Sequence, residues 1–261
     1  WFPASVLLGF VVFSFSVLLH EAIHGLILDR DRWGLSALLG FVYGLLSGLS
    51  YAQFMRWHLD HHNNLGSEHL DPKRAHLSPK INAFWYKLLY CTPALIFIYA
   101  GAVAKTLKNY PGSLRRRIGL ERAVGIPFQL AVLAWFWTLD PAFALKAHVI
   151  PVFFVFPIAF TLNRLGQHYV IAPDDVAQWS TLMRPNWVWN FLYLFSTYHL
   201  EHHYFPGVPF YHLRKLQKAL EPFYANRNIP SLTYGPLLFL WFFKNHTPHS
   251  KPIYVDPLVE V

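Results

Sequence analysis

The sequence predicts an all-α, polytopic integral membrane protein with a histidine-rich cap on one face of the bilayer and further helices lying along the interface. Three observations lead there. Of the 261 residues, 54% are hydrophobic and only 14% charged, whereas a soluble domain carries about 25% charged residues. Mean hydropathy is +0.26, and the apolar residues gather into four long segments. Three short histidine clusters, HEAIH (20–24), HLDHH (58–62) and YHLEHH (198–203), stand at or near segment ends.

The elements follow in order. Residues 2–19 are apolar and, at about 18 residues, just long enough to cross a bilayer at 1.5 Å per residue; they run straight into His20. Residues 34–54 are glycine-rich and run into His58. Residues 88–104 are interrupted by Pro93. The region 126–162 is broken by DPAFALKAH and reads as a helical hairpin, 126–139 outward and 148–163 back, with a turn at 140–147. Beyond Gln178, WSTLMRPNWVWNFLYLFSTYHLEHH is rich in aromatics, as suits an interfacial helix. FPGVPF then reads as a rigid turn, in which Pro206, Gly207 and Pro209 end the helix of the third cluster. PLLFLWFF (236–243) is too short to span and is expected to pack or lie at the interface. No linker and no internal repeat divides the chain, which reads as one domain over 1–261. Residues 1–19 lack the basic start and small-residue cleavage site of a signal peptide, and residues are expected to precede Trp1.

Charge sets the orientation. A net charge of +8 in a soluble protein would raise nucleic acid as a partner. Here the Lys and Arg residues fall in 29–33, 56–87, 105–122 and after Arg164, while 140–147 holds only Lys146. The positive-inside rule accounts for that asymmetry, needs no nucleic acid, and places the histidine clusters on the cytoplasmic side of a bacterial inner membrane or the endoplasmic reticulum. If the clusters build one site, residues 24, 58 and 199 share that side. Segments 34–54 and 88–104 then lie along the interface or re-enter. The crossing count is odd, with Trp1 on the far side, and an earlier crossing is expected to restore an even number.

Cys91 is alone, which excludes an internal disulfide, a CxxC pair and a thiolate metal site. Any metal is held by nitrogen and oxygen. His20 and His24 are spaced i, i+4; His58, His61 and His62, like His199, His202 and His203, are spaced i, i+3, i+4, so each cluster presents its rings on one helical face. A buried imidazole without partners costs about 1–3 kcal/mol, and metal coordination satisfies all eight at once. HEAIH also matches the HExxH of zinc proteases, with Glu21 as base, but that reading leaves the other two clusters unexplained. Zinc normally takes four ligands; eight or nine imidazoles suit two metals, and nitrogen-rich ligation with open positions suits iron that activates dioxygen. A transporter would place such ligands near the bilayer midplane in broken helices, whereas these stand at span ends. Glu21, Asp60 and Glu201 sit beside ligand histidines; Asp60 and Glu201 are expected to accept the second N–H of a metal-bound imidazole. Asp71 reads as a cap or turn ahead of Pro72. His69, His76, His148, His212, His246 and His249 read as non-ligands, and Arg115, Arg116 and Arg117 as ordinary basic-side charge.

HEAIH, HLDHH with the following NNLGSEHLDP, and YHLEHHYFPGVPFYHLRKL resemble the three histidine boxes of the membrane fatty acid desaturase and hydroxylase family, from His20 to about Leu220. The resemblance implies an enzyme holding two iron ions (Fe2+/Fe3+) and consuming dioxygen and two electrons. It also implies a ninth ligand before box three, a place that His168 in NRLGQHY fills. The implied metal set is His20, His24, His58, His61, His62, His168, His199, His202 and His203, with no catalytic residue beyond it. Some relatives carry an asparagine four residues before that extra histidine; here the position is Arg164, with Asn163 one step further, and the role is not carried over. The implied reaction is fatty-acyl or lipid desaturation with the chain in a tunnel among the spans. A lipid or carotenoid hydroxylase or ketolase is the alternative, although carotenoid enzymes often have Asp where this chain has Glu21. The sequence has no cytochrome b5-like HPGG, no flavin or nicotinamide fingerprint and no cysteine cluster. Electrons are therefore expected from a separate ferredoxin, cytochrome b5 or rubredoxin-like partner.

Overall fold

The computed structural model describes residues 1–28, 34–172 and 174–244; His246 and His249 lie outside them. The described residues are mostly helical, and among them three helical runs are long and apolar enough to cross a membrane: Phe2–Ile23, Gly112–Leu139 and Pro141–His168. The protein is thus a helical membrane protein, with three candidate spans among the described residues, or four if the bent pair Leu35–Ser47 and Tyr51–Asn63 counts as one. The first run is α1 (Phe2–Ile23). It packs so closely on the third that a Cβ at Gly9 would lie 2.3 Å from the Val155 Cβ, so only glycine fits there.

The 34–54 segment is not a straight crossing. α2 (Leu35–Ser47) and α3 (Tyr51–Asn63) meet at 102°, the shape of a broken span or a re-entrant segment. Gly48 makes the bend with φ +73°, and Gly44 lets the chain fold back, since a Cβ there would be 2.6 Å from the Leu49 carbonyl oxygen. The new helix is capped twice. Ser50 accepts from the Gln53 N–H, and Glu121 accepts from the Ser50 hydroxyl and the Ala52 N–H at 2.7 and 2.9 Å. A carboxylate from another helix thereby satisfies the free N–H groups of α3 and aims box two.

α4 (Phe84–Leu89) and α5 (Ala94–Leu107) follow, and at 14 residues α5 is too short to span directly. The hairpin differs from expectation at both ends. α6 (Gly112–Leu139) begins well before residue 126 and takes Arg115–Arg117 into its first turns, because basic residues outside the apolar layer do not end a helix. The expected turn at 140–147 shrinks to Asp140, whose carboxylate accepts the Ala142 and Phe143 N–H groups at 3.1 and 3.2 Å and starts the return helix with Pro141 at its first position. That return comprises α7 (Pro141–Ala144), a π-helical stretch Leu145–Val155 and α8 (Phe156–His168). In a π-helix the Lys146 carbonyl needs an N–H from residue 151, which is proline. The Ser5 hydroxyl donates to it instead, at 2.7 Å.

Residues 179–203 do not form one interfacial helix. Leu182–Met183 (β1) pairs in parallel with Ser231–Leu232 (β2). α9 (Trp187–Leu192) is capped by Asn186, and Leu194 and Phe195, at φ 45° and 60°, turn the chain before α10 (His199–Tyr204). α11 (Phe210–Asn226) follows the proline turn, and α12 (Tyr234–Phe239) leads into a π turn, Leu240–Lys244. Leu237 and Trp241 are fully buried, so this short apolar stretch packs rather than spans.

Candidate metal centre

All nine histidines of the expected set converge. Box one occupies the end of α1, with His24 at its C-cap; box two lies on α3, box three is α10, and His168 is the last residue of α8. Their donor nitrogens form two groups, each with all donors within 4.8 Å of one another: His20, His24, His58, His62 and His202 in one, His61, His168, His199 and His203 in the other. The division follows helical geometry. Residues four apart diverge by about 40° and residues three apart by about 60° the other way, so i, i+4 pairs stay together. Thus His58 and His62 share a group while His61 turns to the other, and His199 and His203 share a group while His202 crosses over. Boxes two and three each lend one imidazole to the other's neighbourhood.

The donor sets fit metal ions. The Nε2 atoms of His24 and His58 approach to 2.6 Å, those of His61 and His168 to 2.9 Å, and those of His168 and His203 to 3.4 Å; such nitrogens aim at a common point. The Nε2 atoms of His20, His62 and His199 and both nitrogens of His202 are buried without a hydrogen-bond partner, a cost that coordination removes. Burial, and after it the neighbouring imidazoles, push His199, His202 and His203 well below the usual histidine range. They are held neutral, the state in which a ring nitrogen offers a lone pair.

Two carboxylates touch imidazoles. Asp71 Oδ2 lies 2.9 Å from His61 Nδ1, and Glu21 Oε1 lies 3.2 Å from His20 Nδ1. Glu21 also accepts the Phe210 N–H at 3.1 Å, tying box one to the turn after box three. Asp60 and Glu201 meet other partners. Asp60 pairs with Arg56 on the exposed side of α3, and Glu201 accepts from Tyr224 at 2.6 Å and Gln217 at 2.9 Å. Those partners hold both carboxylates away from the rings they adjoin, whereas Glu21, equally adjacent to His20, reaches its ring. Asp71 was legible as a turn residue, and it does hold the Gly66 and Lys73 N–H groups; its hold on His61, ten residues back, left no local signal. Of the expected non-ligands, His69, His76, His148 and His212 stand apart from both groups.

A cavity of about 70 Å3 opens beside His20, His58, His199 and His202, and Lys73, Asn163 and Arg164 share its wall. Burial first, then nearby Arg164, pulls the Lys73 ammonium down to about 7, while Asp71 acts the other way. Asn163 donates to Ser196 and accepts from Gln167, which joins α8 to the turn before box three. Val170, two residues past His168, is held at φ 55°, strain of the kind found beside functional sites.

The family model described as fatty acid desaturase matches residues 1–235, and the chain belongs to that family. It is similar to the human protein named sphingolipid delta(4)-desaturase/C4-monooxygenase DES2, 27% identical over 223 residues covering 83% of this chain and 64% of that protein. It is also similar to the Drosophila melanogaster sphingolipid delta(4)-desaturase DES1, 25% identical over 221 residues with the same coverage. The chain spans 64% of the length of these curated relatives.

Proposed function

We propose that this protein is a membrane desaturase that takes two hydrogens from adjacent carbons of a lipid chain. The reaction consumes the substrate, O2, two electrons and two protons, and yields the alkene and two waters. The observation that carries it is the pair of histidine groups, built from four separated stretches of chain and facing one cavity. His20, His24, His58, His62 and His202 would hold one iron, and His61, His168, His199 and His203 the other. Two irons with dioxygen supply an oxidant strong enough for an unactivated C–H bond. The protein's own task is placement: the buried histidines fix the reacting position, and the apolar helices hold a chain that has no polar handle at the reacting carbon.

The likeness to sphingolipid desaturases supports a sphingolipid-type substrate, with a polar end and a long saturated chain. The basic residues of the histidine side support a cytoplasmic orientation. The two electrons must reach the histidine side, and a ferredoxin, cytochrome b5 or rubredoxin-like donor would supply them. Expression in a host with saturated lipids, followed by lipid mass spectrometry, tests the reading. The expected product is two hydrogens lighter; a product heavier by one oxygen, with no alkene, overturns it in favour of hydroxylation.

A further inference from the structure

Three cavities meet at one side chain. Phe160, on α8, borders the cavity of about 70 Å3 that faces the histidines, a narrow one of about 30 Å3 between Leu77 and Trp241, and a larger one of about 350 Å3 among α1, α2, α5, α6 and the return helix. On the return helix the wall of the large cavity runs through His148, Val152, Phe153, Phe156, Pro157 and Phe160. It is an elongated space lying along the spans. The ring itself is 8% exposed and held from three sides. Phe156 stacks on it at 5.8 Å, Tyr99 meets it edge-on at 6.3 Å, and the Arg164 guanidinium lies 5.8 Å from its centroid.

We propose that Phe160 is a specificity-determining residue, the partition that decides which carbons stop beside the histidines. This rests on the lipid desaturase reading above. Both cavities have mostly apolar walls, the large one more so; beside the histidines Lys73, Asn163 and Arg164 line the small one, and Glu121, Arg122 and Gln129 line part of the large one. An amphiphile leaves its polar end with the cations and threads its chain past the Phe160 ring toward His148. The ring closes the third branch, which Trp241 lines, and narrows the passage that the chain must take, so it sets which carbons lie beside the histidines. Because its neighbours fix its orientation, the stop is rigid, and a shift near 1 Å at the reacting carbon is worth about 100-fold in rate.

Phe160→Ala, Phe160→Leu and Phe160→Trp, expressed beside the wild type, test this by locating the double bond in the product. The wild type gives one position. Phe160→Ala moves or splits it by at least one carbon, Phe160→Leu stays near the wild type, and Phe160→Trp loses about 100-fold in turnover on the longest chains. Native mass spectrometry of the purified proteins with saturated fatty alcohols of graded length reads the same partition without turnover: the wild type shows a length cut-off, and Phe160→Ala extends it. A single unchanged double-bond position together with an unchanged cut-off in Phe160→Ala overturns the proposal. Absence of any alkene from the wild type defeats the desaturase reading alone, since the alcohol cut-off still decides the partition.

Discussion

Asp71 reaches His61 from outside the histidine cluster: its Oδ2 lies 2.9 Å from the ring Nδ1, and neither side chain has any exposure. The same oxygen accepts the Gly66 N–H, and its neighbour accepts the Lys73 N–H. One carboxylate therefore sets a ring and shapes the loop behind it. It fixes the His61 tautomer, leaving Nε2 as the inward donor, 2.9 Å from His168.

Replacing Asp71 by Asn keeps an acceptor for the loop and removes the charge that strengthens the imidazole. Metal affinity or activity should fall by about 10–100-fold, with little change in helix content. Iron per chain, read beside circular dichroism, decides the matter; full iron and full activity in the variant would show that the pair does not position His61.

His203→Ala should cost iron and activity together, because the smaller group has only four imidazoles. His212→Ala is the control: the residue lies on exposed α11 away from both groups and should leave iron unchanged. If the purified active protein holds one zinc and no iron, the two-iron reading fails.

Gly9→Val should loosen the α1 contact with the return helix, since a Cβ there meets Val155 at 2.3 Å and the Pro151 carbonyl oxygen at 3.1 Å. Overpacking of this kind costs about 1–3 kcal/mol. A lowered unfolding midpoint in detergent is expected, and an unchanged midpoint would mean that the two helices separate without penalty.

The hairpin predicts opposite labelling of its two ends. In a Cys91→Ser background, Arg116→Cys at the start of α6 and Ala142→Cys beyond Asp140 should react with an impermeant thiol reagent from opposite sides of sealed vesicles. The cytoplasmic side should be that of Arg116. Labelling of both from one side would show that Gly112–Leu139 does not cross.

Much of the site was legible because its signal is local. The i, i+3, i+4 spacing of His58, His61 and His62, and of His199, His202 and His203, fixes a shared helical face whatever surrounds it, and the nine histidines do converge. What depends on distant partners was not legible. Glu121 capping α3 and Ser5 serving the Lys146 carbonyl each join residues about 70 or 140 positions apart and leave no pattern in either neighbourhood. The polarity of Lys146 and His148 makes the expected hairpin turn wider than the observed one, yet His148 is buried against Phe136 and Phe153. Adjacency to a ligand does not separate Asp60 and Glu201 from Glu21; their partners Arg56, Gln217 and Tyr224 do, and sequence spacing does not reveal them.

The exchange of imidazoles between α3 and α10 also orders events during synthesis. Four donors of the larger group, His20, His24, His58 and His62, emerge early, while its fifth, His202, follows roughly 140 residues later, about 7–28 s at 5–20 residues per second. Four nitrogens are the donor count that zinc prefers. On the two-iron reading, a ribosome-bound chain would offer zinc its preferred donor count before the fifth imidazole of the larger group is made, and the arrival of box three would end that competition. On that reading, cells rich in zinc and poor in iron should accumulate inserted protein that carries zinc, even though every residue of the mature site is intact.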